Sequence, residues 1–363
     1  MAADKRTAML AVYKQVMVFI PFLTTFFRTT PNDIKDAESF IIEIKRGSKK
    51  IAPVISNITM LGGRIERSQY TRKEFTPPVI ALGADFAPGD LIEKAFGKSE
   101  YDSASDGYMA QLQALIIDAM QEIEARINRS IEFQCSQILQ TGELTLYDKD
   151  GNAAFVIDFY PKATHFPTVS VSWSDEDSDP DADIEALARV IKTDGSSTIK
   201  NLIFGSIARA NYLKNSKVND KFDITRITSG NWQPRNLNED VTYLGDILIG
   251  SQFYQCWEYT GEYIHPATGL TTRFIADDKV VLLPDSGSVN FDFRKVYCTA
   301  PTITGVDPRF ASIVPTRMSL EDRAYTARVW ADGNSDTLNT ELKTRPLCVP
   351  VAIDVFGCLD TEI

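Results

Sequence analysis

The stretch Ser105–Gly142, SDGYMAQLQALIIDAMQEIEARINRSIEFQCSQILQTG, decides how this chain is built. Met109, Leu112, Ile116, Met120, Ile123, Ile127, Ile131, Cys135 and Ile138 recur every three or four residues. That spacing keeps them on one face of an α-helix, which turns once in about 3.6 residues. Asp118, Glu122, Arg126 and Arg129 fall on the other side, with Glu122 and Arg126 at the favourable i,i+4 spacing. Ser105 or Asp106 supplies an N-cap, and Gly142 stands where a left-handed residue closes a helix. The predicted helix, 105–141, is a rod on the order of 50 Å long at about 1.5 Å per residue. An ordinary globular helix has about 11–12 residues, so this one is a strut.

Upstream of the strut the chain is basic and extended. Residues 45–75 carry Lys45, Arg46, Lys49, Lys50, Arg64, Arg67, Arg72 and Lys73 against only Glu66 and Glu74, a formal charge of +6. Residues 1–44 balance to zero, which leaves −17 on residues 76–363 for the chain total of −11. Opposite fields on two parts of one chain favour contact between the arm of one copy and the body of another. Ser39–Lys45 reads as a strand ended by Gly47, and Ile51–Ile65 and Tyr70–Leu82 as two extended segments around Gly62-Gly63. Pro53, Pro77 and Pro78 mark these as edge or irregular strands, since proline cannot donate to a ladder. Nearer the start, Phe22, Phe26 and Phe27 crowd before Arg28, a cluster that needs a partner surface. The reading expects these rings to be buried only after assembly.

Downstream, Asp90–Gly97 reads as a short helix and Glu143–Tyr160 as a hairpin turning at Asp150-Gly151. The acidic run Ser174–Asp183 reads as a solvated, mobile loop. Strand and helix patterns then alternate: helices at Ala182–Lys192 and Ser206–Asn215, and strands at Ile199–Phe204, Ile247–Trp257, Arg273–Ile275, Val280–Leu283 and Phe291–Tyr297. Val349–Phe356 reads as a closing strand.

A 363-residue chain with 44 % hydrophobic residues can fold into two or three subdomains. No window approaches the ~20 apolar residues of a membrane span, and the N-terminus lacks the small-residue cleavage site of a secretion signal. Five scattered cysteines without a Cys-x-x-Cys pair predict reduced thiols and a cytoplasmic setting. The acidic balance argues against tight phosphate binding. Phe96-Gly97-Lys98-Ser99 ends like a phosphate loop, but Ile92 stands where its first glycine should be. Asp148-Lys149-Asp150-Gly151-Asn152 spaces oxygens like a calcium loop, but Ala153 and Phe159 occupy the glycine and glutamate positions. His165 and His265 sit beside prolines in loops, and no nucleophile motif accompanies them. No catalytic, cofactor-binding or metal-ligating residue is predicted, so the chain is read as a non-enzyme.

An ordered set of short landmarks resembles the lambda-type phage major capsid protein family, the major capsid protein E. These are Phe22-Leu23-Thr24-Thr25-Phe26-Phe27-Arg28; Ala52-Pro53-Val54; Glu74-Phe75-Thr76-Pro77; the hairpin Leu146–Phe159; Trp173; the run Phe274–Pro284; and Arg345-Pro346-Leu347-Cys348-Val349-Pro350. Tyr160-Pro161 departs from the family's Gly-Arg-like step after the hairpin. The resemblance implies an α+β, HK97-like capsid subunit: an N-terminal arm at 1–50, an extended β-hairpin loop at 51–90, and a peripheral domain at 91–172 built of a spine helix and β-sheet. An α/β axial domain at 173–345 and a closing strand at 346–363 complete it. It also implies hexamers and pentamers closing an icosahedral shell around double-stranded DNA. The partners implied are further copies, portal and scaffold proteins, and a decoration protein at local three-fold positions, with assembly in the host cytoplasm and no membrane. The residues expected at contacts between copies are Phe22, Phe26, Phe27, Arg28, Arg64, Arg67, Arg72, Lys73, Glu74 and Phe75. An encapsulin-like compartment shell and a soluble α/β enzyme are the alternatives.

Overall fold

The computed structural model describes residues 19–35, 37–44, 71–87, 108–219, 230–231, 235–288, 290–300, 324–332 and 337–363. The strut is helix α1, Tyr108–Thr141. Ile116, Met120, Ile123, Ile127, Ile131, Cys135 and Ile138 are buried on it, while Glu122 and Arg126 pair on its wet side at 2.5 Å. Gly142 closes it with φ +72, its amide bonded to the Ile138 carbonyl. Over its last turns the helix stops being amphipathic: Ile131 to Ser136 are buried without a break, among them Glu132, Gln134 and Ser136.

Those polar side chains are satisfied by the backbones of three distant segments. The Glu132 carboxylate accepts the amides of Phe22, Leu23 and Thr24 and the Thr24 hydroxyl, at 2.5–2.9 Å. It thereby caps the 3-10 turn Leu23–Phe26, which has no cap of its own. Gln134 accepts the Cys348 amide at 3.1 Å and donates to the Pro346 carbonyl. Ser136 and Gln140 both donate to the Phe274 carbonyl, at 2.6 and 2.8 Å, and Gln140 accepts the Ala276 amide.

The described residues form six sheets around the strut. The largest has seven strands: β7 (Ile199–Phe204), β8 (Gly230–Asn231), β9 (Arg235–Asn236), β10 (Val241–Ile249), β11 (Gln252–Tyr259), β14 (Lys279–Pro284) and β19 (Gly357–Asp360), in the order β19-β14-β7-β11-β10-β8 with β9 also on β10. β1 (Ile34–Lys35), β15 (Phe293–Cys298) and β18 (Pro346–Pro350) form a second sheet; β4 (Ile80–Phe86), β16 (Tyr325–Asp332) and β17 (Thr337–Thr344) form a third. Three two-stranded ribbons complete the set: β2 (Phe40–Ile44) with β3 (Thr71–Phe75), β5 (Glu143–Tyr147) with β6 (Ala153–Asp158), and β12 (Glu262–Ile264) with β13 (Thr271–Arg273).

Side chains alternate across a strand, and the seven-stranded sheet uses both faces. Ile203, Val281, Leu283 and Tyr259 face the core that contains Ile123, Ile127 and Ile131 of the strut. Their neighbours Leu202, Phe204, Val280, Leu282 and Cys256 face a second core. That core is closed by Ile184, Leu187 and Ile191 of α2 (Pro180–Gly195) and by Ala208 and Tyr212 of α3 (Ser206–Lys214). Because both faces are covered, β14 after Lys279 and the second half of β7, Leu202–Phe204, are apolar without alternation.

Several sequence expectations are corrected. Ile247–Trp257 is a hairpin that turns at Gly250, φ +60, rather than one strand. Val349–Phe356 is broken: β18 ends at Pro350, a 3-10 turn covers Ile353–Val355, and the chain then joins the large sheet as β19. The break serves the crossing from one sheet to another, and Gly195 makes room for it, since a Cβ there would lie 2.2 Å from the Asp354 carbonyl oxygen. β15 pairs with β1 and β18, and β17 pairs with β16 and β4. The acidic run 174–183 is only partly solvated. Asp179 caps α2, the Asp181 carboxylate is buried and accepts the Tyr212 hydroxyl at 2.7 Å, and Asp183 accepts the Trp173 indole at 3.0 Å. Carboxylates gather there because a helix N-terminus offers unpaired amides and a positive dipole. Ile51–Ile65 and Asp90–Gly97 lie outside the described residues.

Two exchanges on one helix test this arrangement. Glu132→Gln leaves one oxygen to serve four donors and should cost about 2–3 kcal/mol, since a bond to a charged group is worth about 1.5–3 kcal/mol. Glu122→Gln, in an exposed pair, should cost less than about 1 kcal/mol. Urea unfolding of the purified subunit measures both, and equal midpoints would refute the role given to Glu132. Ile123→Pro removes a backbone donor in mid-helix and should cost about 3 kcal/mol or more, read as insoluble protein.

Candidate assembly surfaces

The aromatic arm folds onto its own chain. Phe22 and Phe27 are buried, and Phe26 is half-buried against Phe22, edge to face at 5.6 Å. Phe22 meets Trp257 at 5.6 Å and Tyr259 at 5.5 Å, and Phe27 meets Phe293 at 5.1 Å. The expectation that these rings are buried only after assembly is therefore corrected for Phe22 and Phe27: Trp257, Tyr259 and Phe293 are the partner surface. Burial and the nearby charge of Glu132 push the Tyr259 phenol well above its usual range.

Arg28, the exposed end of this segment, reaches Asp292 at 2.6 Å. Burial works against ionisation of Asp292, but hydrogen bonds from Arg294 and Arg28 outweigh it and hold the carboxyl below its usual range. Arg294 extends the link to the buried Asp33 at 3.3 Å. The arm is thus tied at both ends of its aromatic run, by Glu132 before it and by Asp292 after it.

The β2–β3 ribbon is rooted by rings as well. Phe40 lies opposite Phe75 in the ladder, their centroids 6.0 Å apart, and Phe75 continues to Phe159 at 5.9 Å. Phe40, Phe75 and Phe159 are buried. From this root the ladder runs to Ile44 opposite Thr71, with Lys73 opposite Ile42 and Arg72 opposite Glu43. Of Arg72 and Lys73 the backbone alone is described, and Arg64 and Arg67 lie outside the described residues. Glu74 is exposed and accepts the Ser39 hydroxyl.

The turn between the ribbon and β4 is held by a residue that sequence reading noted only as part of a landmark. The guanidinium of Arg345, buried, donates to the Pro77 carbonyl at 3.0 and 2.8 Å and to the Thr299 carbonyl at 3.3 Å. Its planar fork fixes direction as well as distance. Glu132 was also missed, although a charged residue three positions before Cys135, at the border of the apolar stripe, was the available signal.

The motifs weighed for chemistry have local uses. Asp148 accepts the amides of Asn152 and Asp150 within its own turn, and the first of these bonds is the chief cause that holds its pKa below the usual carboxylate range. His165 is buried between the Phe356 carbonyl at 2.7 Å and the Asp194 carboxylate at 3.2 Å. Among the described residues no group of three or more His, Cys, Asp or Glu could hold a metal ion. No described helix is long and apolar enough to cross a membrane.

The family described as phage major capsid protein E matches residues 7–357. No curated protein matches the chain's sequence significantly. Among solved structures, the putative capsid protein of a prophage in E. coli CFT073 superimposes with a TM-score of 0.60 at 15 % identity, covering 94 % of this chain and 93 % of that one. A phage-related protein from Bordetella bronchiseptica RB50 gives 0.49 at 13 % identity over 93 % and 91 %, and an encapsulin complex from Synechococcus elongatus PCC 7942 gives 0.46 at 11 % over 98 % and 92 %. The family match spans nearly the whole chain, and the described elements have the α+β, HK97-like arrangement. The chain belongs to the phage major capsid protein E family and is a structural subunit of a tailed-phage capsid, not an enzyme.

Proposed function

We propose that copies of this chain associate as hexamers and pentamers and close an icosahedral head around double-stranded DNA. Assembly takes place in the host cytoplasm with portal and scaffold proteins, and a decoration protein sits at local three-fold positions. The DNA is enclosed without sequence recognition, in keeping with the acidic chain total of −11. The observation that carries the reading is the buried aromatic root of the β2–β3 ribbon, Phe40, Phe75 and Phe159, next to a stretch of sequence, residues 45–75, with a formal charge of +6 in a chain whose total is −11. A rigid root with a charged end suits a clasp laid over a neighbouring copy. Arg64, Arg67, Arg72, Lys73 and Glu74 make the contacts between copies; Phe75, Phe22 and Phe27 fix the roots of ribbon and arm; Phe26 and Arg28 are the arm residues left for a neighbour to touch.

Replacing Arg64, Arg67 and Arg72 together with Glu should abolish shells in negative-stain images while circular dichroism and gel filtration report a folded, soluble subunit. Normal particles from this variant would refute the clasp. Raising salt should slow early assembly, because exposed charges are screened over about 8–10 Å near physiological ionic strength.

The two arm rings should separate in the same assays. Phe27→Asp places a charge among Phe293 and its neighbours and should cost at least the ~3–5 kcal/mol of removing a buried ring, leaving little folded subunit. Phe26→Asp should leave the subunit folded and act on shell yield alone. Loss of fold from both would make Phe26 part of the subunit core.

A further inference from the structure

Where the arm, the strut and the closing segment meet, two thiols face each other. Cys135 on α1 and Cys348 on β18 are fully buried, and their sulfurs are 3.3 Å apart. No other pair among the five cysteines is placed in this way in the described structure. The alignment is built by neighbours: Gln134 binds both the Cys348 amide and the Pro346 carbonyl, so α1 and β18 cannot slide past one another. A disulfide needs its sulfurs at about 2.05 Å, so closure asks for a movement of roughly 1.2 Å. The arm lies against Cys135. The Thr24 hydroxyl is 3.9 Å from the Cys135 sulfur, and Thr24 itself is held by Glu132.

We propose that Cys135 and Cys348 are an oxidation site, an intrachain staple between strut and closing segment, to which the docked N-terminal arm controls access. With a small-molecule disulfide as oxidant the step balances. One cysteine thiolate attacks a sulfur of the oxidant, forming a mixed disulfide and releasing one thiol. The second cysteine thiolate then attacks the protein-bound sulfur, closing the Cys135–Cys348 bond and releasing a second thiol. The protein loses two hydrogens and the oxidant gains them. While the arm is docked, burial pushes the Cys135 thiol well above its ordinary range, which disfavours its thiolate. Lifting residues 22–24 from Glu132 uncovers the Cys135 sulfur, and with it the pair. The staple would join residues 213 positions apart, and crosslinks across long spans restrict the unfolded chain most. A reducing cytosol keeps the pair open, and an oxidising exterior favours its closure.

The test uses the full-length protein at pH 8 with oxidised glutathione. Samples are quenched with N-ethylmaleimide and digested without reduction for mass spectrometry. Labelling of Cys256, fully buried in the second core, reports global opening in the same samples. The linked Cys135–Cys348 peptide should dominate and form at least tenfold faster than Cys256 is labelled. Glu132→Gln should accelerate linkage at least threefold relative to Cys256; Leu23→Ala, on the arm, replaces it if that variant does not fold. Cys348→Ser should abolish the link. Linkage no faster than Cys256 labelling, glutathione left on one cysteine without ring closure, or equal yields of links among Cys256, Cys298 and Cys358 would each overturn the proposal. An unchanged relative rate in the arm variant would overturn control by the arm.

Discussion

A carboxylate can be buried only if its oxygens are supplied with donors, and the fold of this subunit is arranged around one such supply. Glu132 takes two donors on each oxygen, all four from residues 22–24. Losing them would leave a buried charge unpaired, at a cost of several kcal/mol, so the arm and the helix are bound to each other's placement. The same logic extends along the helix. Gln134 is satisfied by β18, and Ser136 and Gln140 by the backbone at Phe274 and Ala276. One rod thus fixes the beginning, the end and a late internal segment of the chain, elements too far apart in sequence to be aligned by local structure.

The apolar interactions repeat this convergence on a larger scale. β7, β11 and β14 send alternate side chains to two cores, one shared with the strut and one with α2 and α3. A displacement of the sheet would disturb both cores at once, because close-packed interiors transmit strain instead of absorbing it. β19 adds a covalent route, since β18 lies against the strut and β19, a few residues later, is an edge strand of the large sheet. The two cores and the β18–β19 crossing thus couple the strut to the large sheet.

In the proposed assembly, contact residues and root residues are different kinds of residue. The rings of the arm and the ribbon are spent inside the subunit, on Trp257, Tyr259, Phe293 and Phe159. In the proposed assembly, half-buried Phe26 apart, the contacts between copies fall to charge, which acts over a distance, is weakened by salt, and corrects misplaced contacts more readily than buried rings can. Weak, repeated contacts on a rigid body suit closure of a large shell.

The strut, its apolar face and its closing Gly142 were legible in the sequence because helical periodicity and capping are local. So were Ile199–Phe204, the hairpin at 143–158 and the charge division between ribbon and body. The one-strand reading of Ile247–Trp257 failed because a tight turn at Gly250 leaves little trace in a continuous apolar run. Val349–Phe356 misled for a related reason, since hydrophobicity does not say which of two sheets a residue joins. Burial of Phe22 and Phe27 could not be read at all: three rings near a terminus look the same whether their partners belong to their own chain or to a neighbour. The sequence by itself determined which segments are regular and where charge accumulates. Only the tertiary structure decided which distant backbone satisfies Glu132, Gln134 and Arg345, because a buried polar side chain is defined by partners more than a hundred residues away.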